Sequence, residues 1–170
     1  MERIIPVSKM TVRSFAQFGE IIQQPERNAD VMGDEYFYWH DLYGDKIDSK
    51  IKLGYFRLKK RDFCTREIER HINNAEIFVP VYGRGIMIFI PPADPGDIGS
   101  EPGYDKAAAF IIESGTSFLI NKGIWHACAM PFEEKLDFLL ILPDNVLDEE
   151  FCEKREVEPL IVDNRWIMKN

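Results

Sequence analysis

The chain has 170 residues, 45% of them hydrophobic and 12% aromatic, which is enough to bury the core of one ordinary domain spanning residues 1–170. Its formal net charge of -8 argues against nucleic acid or an anionic membrane surface as a partner, because either polyanion would be repelled over most of the protein surface. No apolar run approaches the roughly 20 residues of a membrane-spanning helix, and three widely spaced cysteines without a secretory leader favour a reducing cytoplasm. We therefore expect a cytoplasmic domain whose partner is a small-molecule substrate.

The first part of the chain predicts short strands separated by turns. Residues 4–7 and 20–23 are typical of strands, and Thr11 is placed to cap a brief helical turn between them. The polar segment 24–33 predicts an exposed loop or a lid over a pocket. An aromatic cluster follows, and it contains His40, one of only three histidines in the sequence.

The middle of the chain predicts longer strands. Polar and apolar residues alternate over 51–58 well enough for a strand. If the face that carries Arg57 pointed inward, Arg57 would be a candidate functional residue. Residues 77–82 and 86–90 are predicted to pair as a hairpin through a glycine-containing turn. The segment 91–103 holds four prolines and three glycines, which indicates a surface loop.

The remaining strands complete an all-β pattern. Residues 106–112, 117–120 and 136–142 are predicted strands, and short strands at this spacing favour a mainly antiparallel barrel or sandwich. The charged segment 148–155 predicts a short helix, and residues 159–162 predict an edge strand or docking segment.

Four polar residues, which we call the polar cluster, interrupt the apolar strands. Glu69 and His71 are two apart in a predicted strand, so they share a face, and the Asn-Asn pair at 73–74 favours a turn that brings Glu76 back toward them. Further along, a glycine turn after another apolar strand precedes His126. We therefore expect the four to converge. Such a set is able to bind a divalent metal such as Zn, Mn, Ni or Fe, or to perform acid–base chemistry, and the sequence leaves both open.

The spacing of these residues resembles the two-part motif of the cupin superfamily, in which ligands lie on a pair of strands and on a later strand. Glu69 stands where that motif usually has its first histidine. The matching residues are His71, Glu76, Gly83, Gly115, Gly123 and His126.

Seven short segments carry a closer resemblance over most of the chain. They are Phe-Gly-Glu-Ile-Ile at 18–22, Trp-His-Asp-Leu at 39–42, Glu-Arg-His at 69–71, Phe-Val-Pro-Val-Tyr-Gly at 78–83, Ala-Phe-Ile at 109–111, Gly-Ile-Trp-His at 123–126 and Asp-Phe-Leu at 137–139. Together they resemble the ureidoglycolate lyase family, cupin enzymes that release urea from ureidoglycolate to give glyoxylate in purine (allantoin) catabolism. Three positions depart from the family pattern: Glu76 replaces a Gln, Ala127 a second His, and the pair at 142–143 an Asp-Arg pair.

The resemblance implies an all-β fold, a single cupin-type antiparallel β-barrel that is jelly-roll-like, with short terminal helical segments, and a homodimer. It also implies a lyase in which Glu69, His71 and His126 are catalytic, supplying a base for the substrate hydroxyl and a proton donor for the leaving nitrogen. The substrate carboxylate needs a cation, and Lys122, Arg57 or a bound metal are the candidates.

His40 and Trp125 complete the predicted substrate-binding residues, with packing as the alternative for Trp125. If a metal is bound, all four residues of the polar cluster are its expected ligands. If none is bound, the two carboxylates are expected to share a proton, with one pKa raised. Two other functions stay open: a barrel that binds a small metabolite without turning it over, and a metal-dependent isomerase or oxygenase, which Glu76 would suit.

Overall fold

The computed structural model describes residues 2–39, 42, 50–143, 152–163 and 165. Strands dominate this part of the chain, as the sequence predicts, and the helical segments are α1 (Val12–Phe15) and a 3-10 turn (Tyr104–Lys106). The strands are β1 (Arg3–Ile5), β2 (Val7–Lys9), β3 (Gly19–Ile22), β4 (Val31–Met32), β5 (Phe37–Tyr38), β6 (Ile51–Lys59), β7 (Cys64–His71), β8 (Glu76–Tyr82), β9 (Arg84–Ile90), β10 (Ala108–Glu113), β11 (Ser117–Ile120), β12 (Trp125–His126), β13 (Met130–Pro131), β14 (Lys135–Pro143) and β15 (Cys152–Val162).

Two sheets contain most of these strands. The larger has the order β1-β15-β7-β12-β9-β10-β2, with β13 also paired to β9, and the smaller has the order β3-β11-β8-β14-β6. Pairing within both sheets is antiparallel except for β1 with β15 and β2 with β10. Only Pro6 separates β1 from β2, which lie at opposite ends of the larger sheet's order, so that sheet bends round on itself. The predicted all-β, barrel-like fold is confirmed.

Each face of the larger sheet covers its own hydrophobic core. On β9, Met87 and Phe89 belong to a barrel core between the two sheets, whereas Ile86, Ile88 and Ile90 belong to a second core enclosed by the larger sheet. All five side chains are buried, which explains why β9 reads as a continuous apolar run and not as an alternating one.

The barrel core is rich in phenylalanine. Phe15 and Phe118 pack edge to face with ring centroids 5.7 Å apart, and Phe118 stacks on Phe78 at 5.2 Å. Thr11 caps α1 as predicted, because its side chain accepts a hydrogen bond from the Ser14 amide, and this places Phe15 in the core. Among the described residues, no helix is long and apolar enough to cross a bilayer.

The predicted hairpin between residues 77–82 and 86–90 is wrong. β8 pairs with β11 and β14 in the smaller sheet, whereas β9 pairs with β10, β12 and β13 in the larger one. Gly83 lies at the crossing between the sheets with a φ of +83°, and a Cβ there would be 2.4 Å from the Lys135 carbonyl oxygen. A glycine is therefore required where the chain changes sheets, although no tight hairpin forms.

The helix predicted over 148–155 is also wrong where the structure describes it. Residues from Cys152 onward belong to the strand β15, and their pairing with β7 aligns Cys152 with His71 and Lys154 with Glu69. The partner strand is distant in sequence, so its hydrogen bonds override the weak local preference of a charged segment. Residues 148–151 lie outside the described part of the chain.

Candidate active site

The polar cluster converges as the sequence predicts, and both sheets contribute to it. Glu69 and His71 come from β7, and His126 comes from the neighbouring β12, where it pairs with Glu69. The amide of Gly123 donates a hydrogen bond of 2.8 Å to the His71 carbonyl, which ties the turn before β12 to the end of β7. Glu76 begins β8 in the smaller sheet.

The distances within the cluster are short. One ligand atom from each of Glu69, His71 and His126 lies within 4.8 Å of the other two. The Glu76 carboxylate lies between the two rings, with Oε1 3.4 Å from His71 Nε2 and Oε2 3.1 Å from His126 Nε2. Oε1 of Glu69 is 3.8 Å from the same nitrogen of His126. Glu69 is the most open of the four, with its side chain 26% exposed against 8% or less for the others.

A backbone contact assigns the tautomer of His126. Its Nδ1 lies 3.0 Å from the Ile124 carbonyl oxygen, which only accepts hydrogen bonds, so Nδ1 carries a proton. Nε2 therefore faces the carboxylates, either as a lone pair on the neutral ring or as a second N–H on the charged ring.

Burial and neighbouring charges shift the pKa values of His126 and Glu76 in opposite directions. Burial by itself would lower the pKa of His126, but the carboxylate of Glu76 and, after it, that of Glu69 raise the pKa above its ordinary value. Burial would likewise raise the pKa of Glu76, but His126 and then His71 hold that pKa below its ordinary value. The expected proton shared between two carboxylates is therefore not favoured at Glu76, because imidazoles flank it.

The donor atoms fit a divalent metal. Two imidazoles and two carboxylates are ligands that Zn, Mn, Ni and Fe accept. His126 Nε2 and Glu76 Oε2 are buried, and neither makes a hydrogen bond of good geometry to the described residues. The Ile124 carbonyl fixes the ring of His126, as a partner of a metal-bound histidine does.

Comparison with known proteins assigns the chain to a family. Residues 2–167 match the profile of the family described as Ureidoglycolate lyase. This chain belongs to the ureidoglycolate lyase family. The resemblance inferred from the seven short segments is thus confirmed over nearly the whole sequence.

Curated relatives carry the same description. Ureidoglycolate lyase of Pseudomonas putida is 23% identical over 145 residues, which cover 82% of this chain and 84% of the relative. Ureidoglycolate lyase 2 of Rhizobium meliloti is 23% identical over 159 residues, which cover 88% of this chain and 94% of that relative. Among solved structures, oxalate decarboxylase from Bacillus subtilis is 19% identical with a TM-score of 0.44, covering 73% of this chain and 26% of that one. The fold assignment rests on the strand pairing and not on that similarity.

Arg57, predicted to bind substrate, lies on the outer face of the smaller sheet of this ureidoglycolate lyase family member. Its neighbours Phe56 and Leu58 pack against the barrel core, so the guanidinium points away from it. There it donates two hydrogen bonds to Asp137, Nε to Oδ1 at 2.8 Å and Nη2 to Oδ2 at 2.9 Å. The sequence gives the alternation of this strand but not which face is internal.

The other predicted substrate-binding residues also lie apart from the cluster or outside the described residues. Trp125 is fully buried in the second core, where the guanidinium carbons of Arg70 and Arg155 lie 4.2 Å and 4.8 Å from its ring centroid. Lys122 lines a surface depression formed with the proline-rich loop at 91–103. His40 lies outside the described residues.

Two residues of β15 adjoin the polar cluster and were missed from the sequence. The Cys152 thiol lies 3.9 Å from Glu69 Oε2, and Lys154 Nζ lies 3.7 Å from the same oxygen. Burial, and then the charge of Glu69, raises the pKa of the Cys152 thiol to about 11, so the thiol stays protonated at neutral pH. A helical interpretation of this charged segment hides both residues, because only a strand places positions 152 and 154 on the same face.

Proposed function

We propose that this chain cleaves ureidoglycolate into glyoxylate and urea. The observation that carries the proposal is the buried polar cluster, which brings two carboxylates and two imidazoles together in a member of the ureidoglycolate lyase family. Acid–base groups held in fixed geometry are what an elimination of this kind requires.

The reaction moves one proton off oxygen and one onto nitrogen. The substrate hydroxyl loses its proton, a carbon–oxygen double bond forms, the carbon–nitrogen bond breaks, and the leaving nitrogen takes up a proton to give urea. Glu69 is the most open carboxylate of the cluster and accepts the hydroxyl proton. In the metal-free protein His126 donates the other proton from Nε2, since Glu76 favours the charged form of the ring.

Glu76 and His71 hold this arrangement in place. Glu76 stays ionised between the two rings, 3.1 Å from His126 and 3.4 Å from His71. Its charge stabilises the imidazolium before proton transfer. With the Ile124 carbonyl on the other ring nitrogen, it also fixes the orientation of His126.

We also propose that the cluster is the metal site of this chain when a divalent cation is bound. Glu69, His71, Glu76 and His126 would hold the cation, whose charge would stabilise negative oxygens of the substrate. The support is the donor set itself and the two buried atoms that lack well-formed hydrogen bonds. Elemental analysis of the purified protein measures the metal content directly.

Turnover assays test the proposed activity. We expect wild-type protein to release urea and glyoxylate from ureidoglycolate, and His126→Ala to lose about 10²–10⁴-fold in kcat, the range typical of losing a general acid or base. Lys135→Met, on the outer face of the smaller sheet, is the matched control and should keep full activity. Each protein is assayed with chelator and with added Mn²⁺ or Zn²⁺, after circular dichroism confirms folding.

Two negative results of these assays would lead to different conclusions. If folded wild-type protein releases no glyoxylate under either metal condition, the lyase proposal is contradicted. Binding of glyoxylate without turnover would instead favour a barrel that binds a small metabolite.

We further propose a homodimer that works in the cytoplasm on a product of purine breakdown. The free thiols Cys64, Cys128 and Cys152 support a reducing compartment. Leu53 and Tyr55, both more than half exposed on the outer face of β6, support contact with a second copy. Light scattering of the purified protein measures the oligomeric state.

A further inference from the structure

Without a bound metal, the polar cluster leaves one requirement of the proposed reaction unmet, a cation for the substrate carboxylate. The cluster itself contains two carboxylates, and an anionic substrate would meet their repulsion. Arg57 is bound to Asp137 on the outer face, and Lys122 lies in a depression beside another loop.

The open side of the cluster faces β15. His71, Glu76 and His126 are buried, whereas the Glu69 side chain is 26% exposed, so Glu69 is the member of the cluster that solvent reaches most. Strand register places Lys154 directly opposite Glu69 on the same face of the sheet. The Lys154 side chain is 62% exposed, and its Nζ lies 3.7 Å from Glu69 Oε2.

We infer that Lys154 binds the carboxylate of the substrate at the entrance to the polar cluster. An ammonium group has three donors on a flexible stem, so it is able to contact Glu69 and a substrate carboxylate together. Glu69 Oε2 faces Lys154 while Oε1 faces His126, so a substrate held by Lys154 has its reacting carbon beside the acid–base groups. This inference rests on the proposed lyase function and adds the residue that selects a 2-hydroxy acid.

A second cation nearby provides a comparison. Arg61 donates a hydrogen bond of 2.9 Å to the carbonyl oxygen of Cys128, two residues after His126. The contact of Arg61 is with the backbone beyond His126, whereas Lys154 lies within ion-pair distance of a cluster carboxylate. We therefore assign carboxylate recognition to Lys154 and use Arg61 as the comparison variant.

The test compares two substrates that differ only in the carboxylate. N-(Hydroxymethyl)urea undergoes the same carbon–nitrogen cleavage, to formaldehyde and urea, but carries no carboxylate. For Lys154→Met we expect kcat/KM for ureidoglycolate to fall about 10- to 100-fold, mainly through KM, as for loss of a charge-assisted hydrogen bond. The kcat/KM for N-(hydroxymethyl)urea should fall much less, because Lys154 acts on that substrate only through its ion pair with Glu69. Lys154→Arg should recover most of the loss for ureidoglycolate, and Arg61→Met should affect both substrates little. The variant should fold, because an exposed ion pair contributes little stability.

Several outcomes would overturn the assignment. Equal losses for both substrates, no loss for ureidoglycolate, or the selective loss appearing in Arg61→Met would each contradict it. If wild-type protein turns over neither compound, the lyase proposal fails, and Lys154 is then tested by calorimetric binding of glyoxylate. There we expect the Kd to rise about 10- to 100-fold in Lys154→Met, and an unchanged Kd would reject the inference.

Discussion

The position of Glu76 decides the electrostatics of the candidate active site. The carboxylate lies between His71 and His126, with its oxygens 3.4 Å and 3.1 Å from their Nε2 atoms. The pKa of Glu76 is lowered and the pKa of His126 is raised by the same cause, the attraction between the Glu76 carboxylate and the His126 ring. A glutamine here would remove both that attraction and one carboxylate of the proposed metal site.

We predict that Glu76→Gln destabilises the protein both with and without metal. Without metal, the variant loses the negative charge that favours the protonated ring of buried His126, and this costs about 1–3 kcal/mol. With metal, it loses a ligand, so added Mn²⁺ or Zn²⁺ should raise its Tm less than it raises that of wild type. Thermal unfolding with chelator and with each metal measures both effects. A variant that unfolds above wild type in chelator would show that repulsion between carboxylates, and not attraction to histidines, dominates at Glu76.

At the scale of elements, the edge strand β6 is attached to β14 by an ion pair as well as by the backbone. Asp137 is buried on β14 and accepts two hydrogen bonds from Arg57 and one of 2.9 Å from the Tyr55 hydroxyl. These side-chain hydrogen bonds hold the pKa of Asp137 near 2. These hydrogen bonds attach the outer face of the edge strand β6 to β14.

We predict that Asp137→Asn lowers the Tm at pH 7 and increases amide exchange in β6. A carboxyl group whose pKa is lowered by folding stabilises the native state above its unfolded pKa, near 4, and loses that contribution as the pH falls through about 2. The difference in Tm between wild type and variant should therefore be constant above pH 4 and shrink toward pH 2.

The matched control is Asp163→Asn. The pKa of Asp163 is also about 2, but its partner Arg165 is two residues away and exposed, so this ion pair attaches no strand. We expect a smaller loss of Tm than for Asp137→Asn. An equal loss would mean that the Asp137 network does not secure β6.

At the scale of the whole molecule, one crossing places consecutive strands in different sheets. β8 ends at Tyr82 and β9 begins at Arg84, so Gly83 alone makes the passage from the smaller sheet to the larger. The crossing puts Glu76 on one side of the barrel core and the neighbours of β9, including His126, on the other. The polar cluster forms across that interior.

We predict that Gly83→Ala is more destabilising than Gly115→Ala. Both glycines have positive φ, +83° and +94°, so both alanines meet backbone strain of about 1–3 kcal/mol. At Gly83 the new Cβ also meets the Lys135 carbonyl oxygen at 2.4 Å, whereas nothing lies within 4 Å at Gly115. Equilibrium unfolding in urea measures the two losses, and equal values would contradict a close approach at the crossing.

Local patterns in the sequence determined the strand-rich fold, the cap at Thr11 and the shared face of Glu69 and His71. Each of these depends on residues within a few positions, where strand alternation and side-chain capping act directly. The same local spacing placed Glu76 and the glycine turn before His126 correctly, so the cluster was predictable. Whether its two carboxylates repel each other or are neutralised by imidazoles was not.

Only the tertiary structure decided which face of each strand is internal and which strands are partners. Alternation places Tyr55 and Arg57 on one face, but the barrel core on the opposite face of β6 makes that face external. Pairing with β7 makes β15 a strand in spite of its charged sequence, and this brings Lys154 to Glu69. These outcomes depend on contacts between residues far apart in the chain, which local propensity does not encode.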